Sequence, residues 1–333
     1  MQKILVTGAT GAVGPRVVTA LCNAGYRVRT LSIDPPRVGL WPEGVEVVIG
    51  DVTDAAAVQA VVCDIDSVIH LAALLHIVNP PPALQKKYER INVGGTATVV
   101  EAALQSRVRR IIYFSTIAVY GSTHGRIVTE ETPPHPDTFY SQTKLAAERI
   151  VLNARDVDGR RMGTVLRLGA IYGSGIKGNY ERLLQSLARG RFLPVGDGSN
   201  RRTLVYDEDV ARAAVLALQH SAAAGKIFNV SDGEFHTLND IISSMCQALD
   251  RKLPRLSLPV GPVRFAAGLV EDLAKIAGIK PPIVRATVDK YTEDVAVDSR
   301  RIQYELGFVP QYDLSTGWQN AVREMRQSGT LPC

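Results

Sequence analysis

The chain has 333 residues, 46% hydrophobic and 21% charged, enough to bury a large core in one large domain or two unequal lobes. Lys and Arg total 38 against 33 Asp and Glu, but the excess is scattered, which says little about nucleic acid and is compatible with an anionic small molecule; no nucleic-acid partner is expected. Cys22, Cys63, Cys246 and Cys333 stand far apart with no CxxC pair, so neither a metal site nor a disulfide framework is expected, and reduced thiols in the cytoplasm fit.

Up to about residue 170, apolar runs of strand length at 4–6, 28–31, 45–49, 67–71, 111–114 and 164–168 alternate with helical patterns. That rhythm predicts an α/β fold with a doubly wound, Rossmann-type parallel sheet, because parallel neighbours need crossover helices. After the first run comes Thr7-Gly8-Ala9-Thr10-Gly11-Ala12-Val13-Gly14, a glycine-rich turn that opens a helix and suits a pyrophosphate at the helix N-terminus. The second run ends at Ser32-Ile33-Asp34, where an acid can accept from an adenosine ribose. Asp34 points to NAD, whereas nearby Arg37 keeps NADP open. Asp51-Val52 after the third run suits the adenine amino group, or Asp51 caps the next helix.

Residues 111–116 place Thr116 at the end of an apolar strand, and Tyr140 stands four residues before Lys144. A Lys one helical turn from a Tyr stabilises phenolate, making Tyr140 a general base with Thr116 holding the reacting oxygen. Helices are expected over 84–105 and 138–155, either covering the sheet or pairing with a second copy as a homodimer. A helix over 203–214 and a strand over 227–230 are expected to return to the sheet. The dinucleotide-binding domain is thus 1–172 with 203–232, and the smaller, irregular substrate lobe is 173–202 and 233–333, broken by Pro254, Pro259, Pro262 and Pro281-Pro282. Residues 257–282 come nearest to a membrane span, but Arg264, Glu271, Asp272 and Lys275 interrupt them, leaving at most contact with a membrane surface.

Together these pieces resemble the extended short-chain dehydrogenase/reductase family, the nucleotide-sugar epimerases and dehydratases. Further motifs carry the likeness: His70-Leu71-Ala72-Ala73, Asn92-Val93-Gly94-Gly95-Thr96, Ser115 to Gly121, Arg167 to Gly173 and Arg202 to Val210. The resemblance implies a catalytic set of Thr116, Tyr140 and Lys144. It implies a cofactor set of Gly8, Thr10, Gly11, Ala12, Val13, Gly14, Asp34, Asp51, Val52, Leu71, Ala72, Ala73 and Asn92, joined by Tyr140 and Lys144. Arg202, Asn179 and Thr116 are the implied substrate contacts, with Arg202 on a pyrophosphate. Alternatively, His70 is a core histidine, Asn92 pins two helices and Asp209 caps one.

Departures narrow the reading. Ile117-Ala118 replace the Asp-Glu that a 4,6-dehydratase uses, so dehydration is disfavoured. Ala170 replaces a pocket Asn, and Tyr291 stands where a second pyrophosphate-binding Arg is expected, with Lys290 as a point-charge substitute. The expected function is an NAD(P)-dependent epimerase of a nucleotide-diphosphate sugar. The alternative is a net dehydrogenase or keto-reductase of a sugar or an apolar, steroid-like alcohol. A cofactor-sensing scaffold would need no Tyr/Lys pair.

Overall fold

The computed structural model describes residues 1–75, 77, 81–277, 279, 281 and 284–331; Pro282 and the fourth cysteine, Cys333, lie outside the described residues. Strands β1 (Lys3–Thr7), β2 (Arg27–Ser32), β3 (Glu46–Ile49), β4 (Ser67–His70), β5 (Arg110–Thr116), β6 (Gly163–Leu168) and β7 (Ile227–Val230) form one sheet. Their order is β7-β6-β5-β4-β1-β2-β3, and every pairing is parallel. Alternation along β1 sends Ile4 and Val6 to one face and Leu5 to the other. The first face packs under α1 (Gly14–Asn23), α7 (Asp207–Gln219) and α11 (Arg300–Leu306). The second packs under α2 (Ala55–Val62), α4 (Gly95–Gln105) and α5 (Phe139–Asn153). The central strands are covered on both faces, which is why they read as apolar runs, whereas the edge strand β3 leaves Val47 and Ile49 exposed.

Local chemistry starts these helices. The Asp54 carboxylate accepts from the N–H groups of Ala56 and Ala57 at 3.0 and 3.1 Å, a cap worth about 1 kcal/mol. Asp54 rather than Asp51 caps α2; Asp51 instead accepts from the Thr53 N–H at 2.9 Å. At α5, Thr138 and Ser141 exchange side-chain and backbone hydrogen bonds in a capping box. The helix expected over 84–105 is present in three pieces without a break, α3 (Pro82–Tyr88), a π-helical turn Glu89–Gly94, then α4.

The helix expected over 203–214 begins later. Leu204–Tyr206 is a short strand, paired in parallel with Ala170–Tyr172, and α7 begins at Asp207. The three buried apolar side chains favour extension, while Asp207, Glu208 and Asp209 suit a first helical turn, where the dipole favours anions. A third core gathers α6 (Asn179–Ala188), α8 (Leu238–Leu249) and α12 (Leu314–Gln327), with Trp318 stacked on Tyr172 at 4.6 Å. Beyond it, α9 (Val260–Ile276) and α10 (Arg285–Thr292) pack against each other; on α9 only Ala267, Gly268 and Ala274 are buried. Among the described residues, no helix is long and apolar enough to cross a membrane.

Candidate active site

The loops at the carboxyl ends of β1, β2, β4 and β5 meet where the strand order reverses, the usual ligand crevice of an open parallel sheet. Gly8 sits at φ +69°, and a Cβ there would lie 2.7 Å from the backbone of Ala72. Gly14 is tighter, since its Cβ would lie 2.1 Å from the Ala9 carbonyl oxygen. A side chain at Gly8 would push the turn off the Ala72 backbone, and one at Gly14 would push the helix start off the turn. Gly11 and Ala12 are exposed, and Val13, at the N-cap position of α1, contributes no side-chain acceptor. The first-turn N–H groups therefore keep no side-chain cap, as an anion-binding helix start requires. Gly175 passes over the same turn, its Cβ direction 3.6 Å from the Ala12 oxygen.

Beside the turn, the buried Ser32 hydroxyl accepts the Thr10 N–H at 3.2 Å. Asp34 lies two residues beyond the strand and is exposed, as is Arg37. Val52 is buried and packs on Gly95.

His70 is a core residue. The Thr96 hydroxyl donates to the Asn92 carbonyl at 2.6 Å, so it must accept from His70 Nε2 at 3.0 Å; Nδ1 then accepts from Thr7 at 2.6 Å. Burial and the Lys144 charge push the imidazole down to about 3, which keeps it neutral. Asn92 pins the site from behind, accepting from the Leu74 N–H at 2.7 Å and donating to the Leu74 carbonyl and to Thr143 at 3.2 and 3.1 Å. It thereby ties α5 to the segment carrying Leu71, Ala72 and Ala73.

Thr116 begins a short 3₁₀ turn, Ile117–Tyr120, with its oxygen accepting the Ala118 N–H at 3.2 Å and its O–H remaining the donor. Lys144 is buried, donating from Nζ to the Phe114 carbonyl at 2.6 Å and lying 4.2 Å from the centre of the Tyr113 ring. Burial lowers this ammonium to about 7, against the opposing charge of Glu148. The Tyr140 ring meets Tyr88 edge-on at 6.4 Å. Contrary to the expectation that Lys144 draws the phenol down, burial, and then Tyr88, push Tyr140 up to about 12. The Lys144 ammonium is directed to the Phe114 carbonyl, and desolvation of the phenol prevails.

Sequence reasoning missed Glu148, four residues after Lys144 on the same face of α5. Its carboxylate is buried, paired with Arg167 at 2.7 Å through Nη2, and accepts from the Ser115 hydroxyl. The one available signal was the i, i+4 spacing, and it names no partner for the acid.

Other expected contacts are engaged elsewhere. Arg202 donates from Nη2 to the carbonyls of Lys290 and Tyr291 at 2.7 and 2.8 Å. Lys290 is no spare cation, because Asp137 and Glu293 flank it at 3.2 and 3.3 Å. Asp209 is not a helix cap: buried in the first turn of α7, it accepts the N–H groups of Gln311 and Tyr312 at 3.0 to 3.1 Å. Asn179 opens α6 on the rim of a cavity of about 230 Å³ that Ala170, Lys177 and Trp318 also line.

A relative from Escherichia coli O157:H7, N-acetyl-alpha-D-glucosaminyl-diphospho-ditrans,octacis-undecaprenol 4-epimerase, is 30% identical over 95% of this chain and 93% of its own. The 3 beta-hydroxysteroid dehydrogenase/Delta 5-->4-isomerase of Mycobacterium tuberculosis H37Rv is 27% identical over 94% of this chain and 87% of its own. Among solved structures, MoeE5 in complex with UDP-glucose and NAD superposes with a TM-score of 0.76, at 27% identity over 98% of this chain and 99% of that one. The sequence pattern of the NAD dependent epimerase/dehydratase family matches residues 4–231. Because that stretch runs from the first strand of the sheet to the last, the chain belongs to the NAD dependent epimerase/dehydratase family.

Proposed function

We propose that the protein is an NAD-dependent epimerase of a sugar carried on a diphosphate, in the first place a nucleotide sugar. The carrying observation is Lys144, fixed on the Phe114 carbonyl one helical turn from Tyr140 and beside the strand that ends in Thr116. MoeE5 with UDP-glucose and NAD, and the relative named for a diphospho-linked sugar, support it. Residues 1–172 and 203–232 would carry the dinucleotide, and 173–202 and 233–333, apart from α11 on the sheet, would form the substrate lobe.

Gly8 and the run Thr10 to Gly14 would hold the pyrophosphate, Asp34 with Ser32 the adenosine ribose, and Asp51 with Val52 the adenine. Leu71, Ala72, Ala73 and Asn92 would line the rest of the crevice. NAD, when bound, supplies a hydride acceptor and a positive charge. Thr116 orients the reacting hydroxyl through its O–H, and Tyr140 takes the hydroxyl proton. Lys144, one helical turn away, and the charge of bound NAD would together offset the burial that holds this phenol up at about 12. Arg202, braced by two carbonyls, would meet the diphosphate, with Asn179 on the sugar side. Positioning and charge are the protein's share of the work.

Tyr140→Phe is expected to lower turnover by about 10² to 10⁴-fold while NAD binding, read by fluorescence titration, persists. Full turnover in that variant would refute the assignment.

Ala170 and Tyr291 favour a second reading, a net dehydrogenase of an apolar alcohol, because they take an amide and a guanidinium from the family pattern. Cofactor that stays with the purified protein, and no net change in nicotinamide absorbance on turnover, favour the epimerase; exchange and net reduction favour the dehydrogenase. Exposed Arg37 keeps NADP as the alternative cofactor. The epimerase reading goes with a cytoplasmic homodimer paired through the helices at 84–105 and 138–155.

A further inference from the structure

We propose that α9 and the coil before it dock this protein on an anionic phospholipid surface. Phe265, Leu269, Leu273 and Ile276 follow one another at steps of 4, 4 and 3 residues. At about 100° per residue they share one helix face, within an arc of roughly 80°. That face is turned to solvent, with the four side chains 69, 50, 65 and 84% exposed. The inward face is small: Ala267, Gly268 and Ala274 are the buried residues, and a Cβ on Gly268 would lie 2.4 Å from the Arg285 guanidinium. A helix serving a protein core carries its large apolar side chains inward; α9 carries them outward.

Charge selects the partner. The ions flanking the stripe are already paired, Arg264 with Asp289 at 2.7 Å, Lys275 with Glu271 at 2.8 Å and Arg285 with Asp272 at 2.7 Å. The coil leading into the helix is different. Residues 251–259 carry Arg251, Lys252 and Arg255 and no carboxylate, all three cations exposed, interleaved with Leu253 and Leu256 at 53 and 75% exposure. Among the described residues no salt bridge engages these three cations, so the segment 251–276 offers exposed apolar side chains and, just before the helix in the chain, positive charge without an ionic partner. A second copy would bring a second set of the same cations, whereas a bilayer with anionic headgroups accepts both features at once. The 17-residue helix would lie in the plane of the interface, its stripe among the acyl chains and its paired ions in the headgroups.

The test is vesicle flotation of the full chain, with phosphatidylglycerol and phosphatidylcholine in equal parts against phosphatidylcholine alone. Wild type is expected to float with the anionic vesicles. Leu269→Glu combined with Leu273→Glu should weaken binding by roughly a hundredfold. Replacing Arg251, Lys252 and Arg255 together by Ala should also cost about a hundredfold, as should raised salt for the wild type. All these side chains are exposed, so thermal melts followed by circular dichroism should match wild type and separate lost docking from lost folding. The proposal is overturned if wild type fails to float, if it floats equally with neutral vesicles, or if the glutamates leave flotation intact while splitting a dimer. None of these readouts uses turnover, so the result stands apart from the substrate assignment.

Discussion

Helices α5 and α9 both reverse the ordinary distribution of polar and apolar side chains, in opposite senses. Inside α5, the buried face includes Ser141, Thr143, Lys144 and Glu148. Outside α9, the exposed face includes Phe265, Leu269, Leu273 and Ile276. Each inward group of α5 has an answer within the chain: the Phe114 carbonyl for Lys144, Arg167 for Glu148, Asn92 for Thr143 and Thr138 for Ser141. Burying a polar group costs several kcal/mol unless it is bonded, so such a face survives only when its partners are built in. Exposed apolar groups carry no such immediate penalty. Their answer can come from outside the molecule.

The sharpest way to break this contrast is Glu148→Ala, which leaves the Arg167 guanidinium buried without its counter-charge. The variant should lose about 3 to 5 kcal/mol in urea unfolding. A loss near zero would mean that the polar face of α5 is tolerated rather than required.

Next in size is the pH dependence set by His70, a second inward polar group with its partners built in. Its folded pKa is pushed down to about 3 from the usual 6.5, so between those values the unfolded chain binds a proton that the folded chain refuses. Its contribution to stability is complete above 6.5 and falls as pH drops toward 3, by about 1.4 kcal/mol per pH unit. His70→Gln should be less stable near neutrality and lose less on acidification to about pH 5, as read from urea midpoints. Parallel slopes in the two proteins would show that other groups carry the acid sensitivity.

The smallest effect belongs to α9. Leu273→Glu should change unfolding free energy by no more than about 0.5 kcal/mol, since the side chain is 65% exposed. A loss of several kcal/mol would show that the stripe supports the fold, which would erase the difference between the two helices.

Much of the sheet was legible because parallel strands covered on both faces need unbroken apolar runs, and Lys3–Thr7 or Arg110–Thr116 offers one. The glycine turn was legible because Gly8 and Gly14 sit where backbone approaches backbone and a side chain has no room. What stayed hidden depended on partners distant in sequence. The string His-Leu-Ala-Ala reads alike whether the imidazole faces a ligand or joins Thr7 to Thr96. Asp209 reads as a cap until the backbone of Gln311 and Tyr312 is brought to it. Arg202 shows its charge in sequence but not the carbonyls of Lys290 and Tyr291 that hold it. Likewise, residues 257–282 announced apolar content, while the direction it faces is a tertiary fact.

The π-helical turn at Glu89–Gly94 makes chain length itself a functional constraint. Tyr88, just before it, faces Tyr140, and Thr96, just after it, meets His70, so both sides of the turn have fixed rotational phases. Winding this turn as ordinary helix with no residue removed would rotate α3 against α4 by about 100°, whereas removing one residue in the same step would leave their phases nearly as they are. The wide turn thus lets the chain carry one more residue between two contacts of fixed phase, so winding and residue number at this point can change only together.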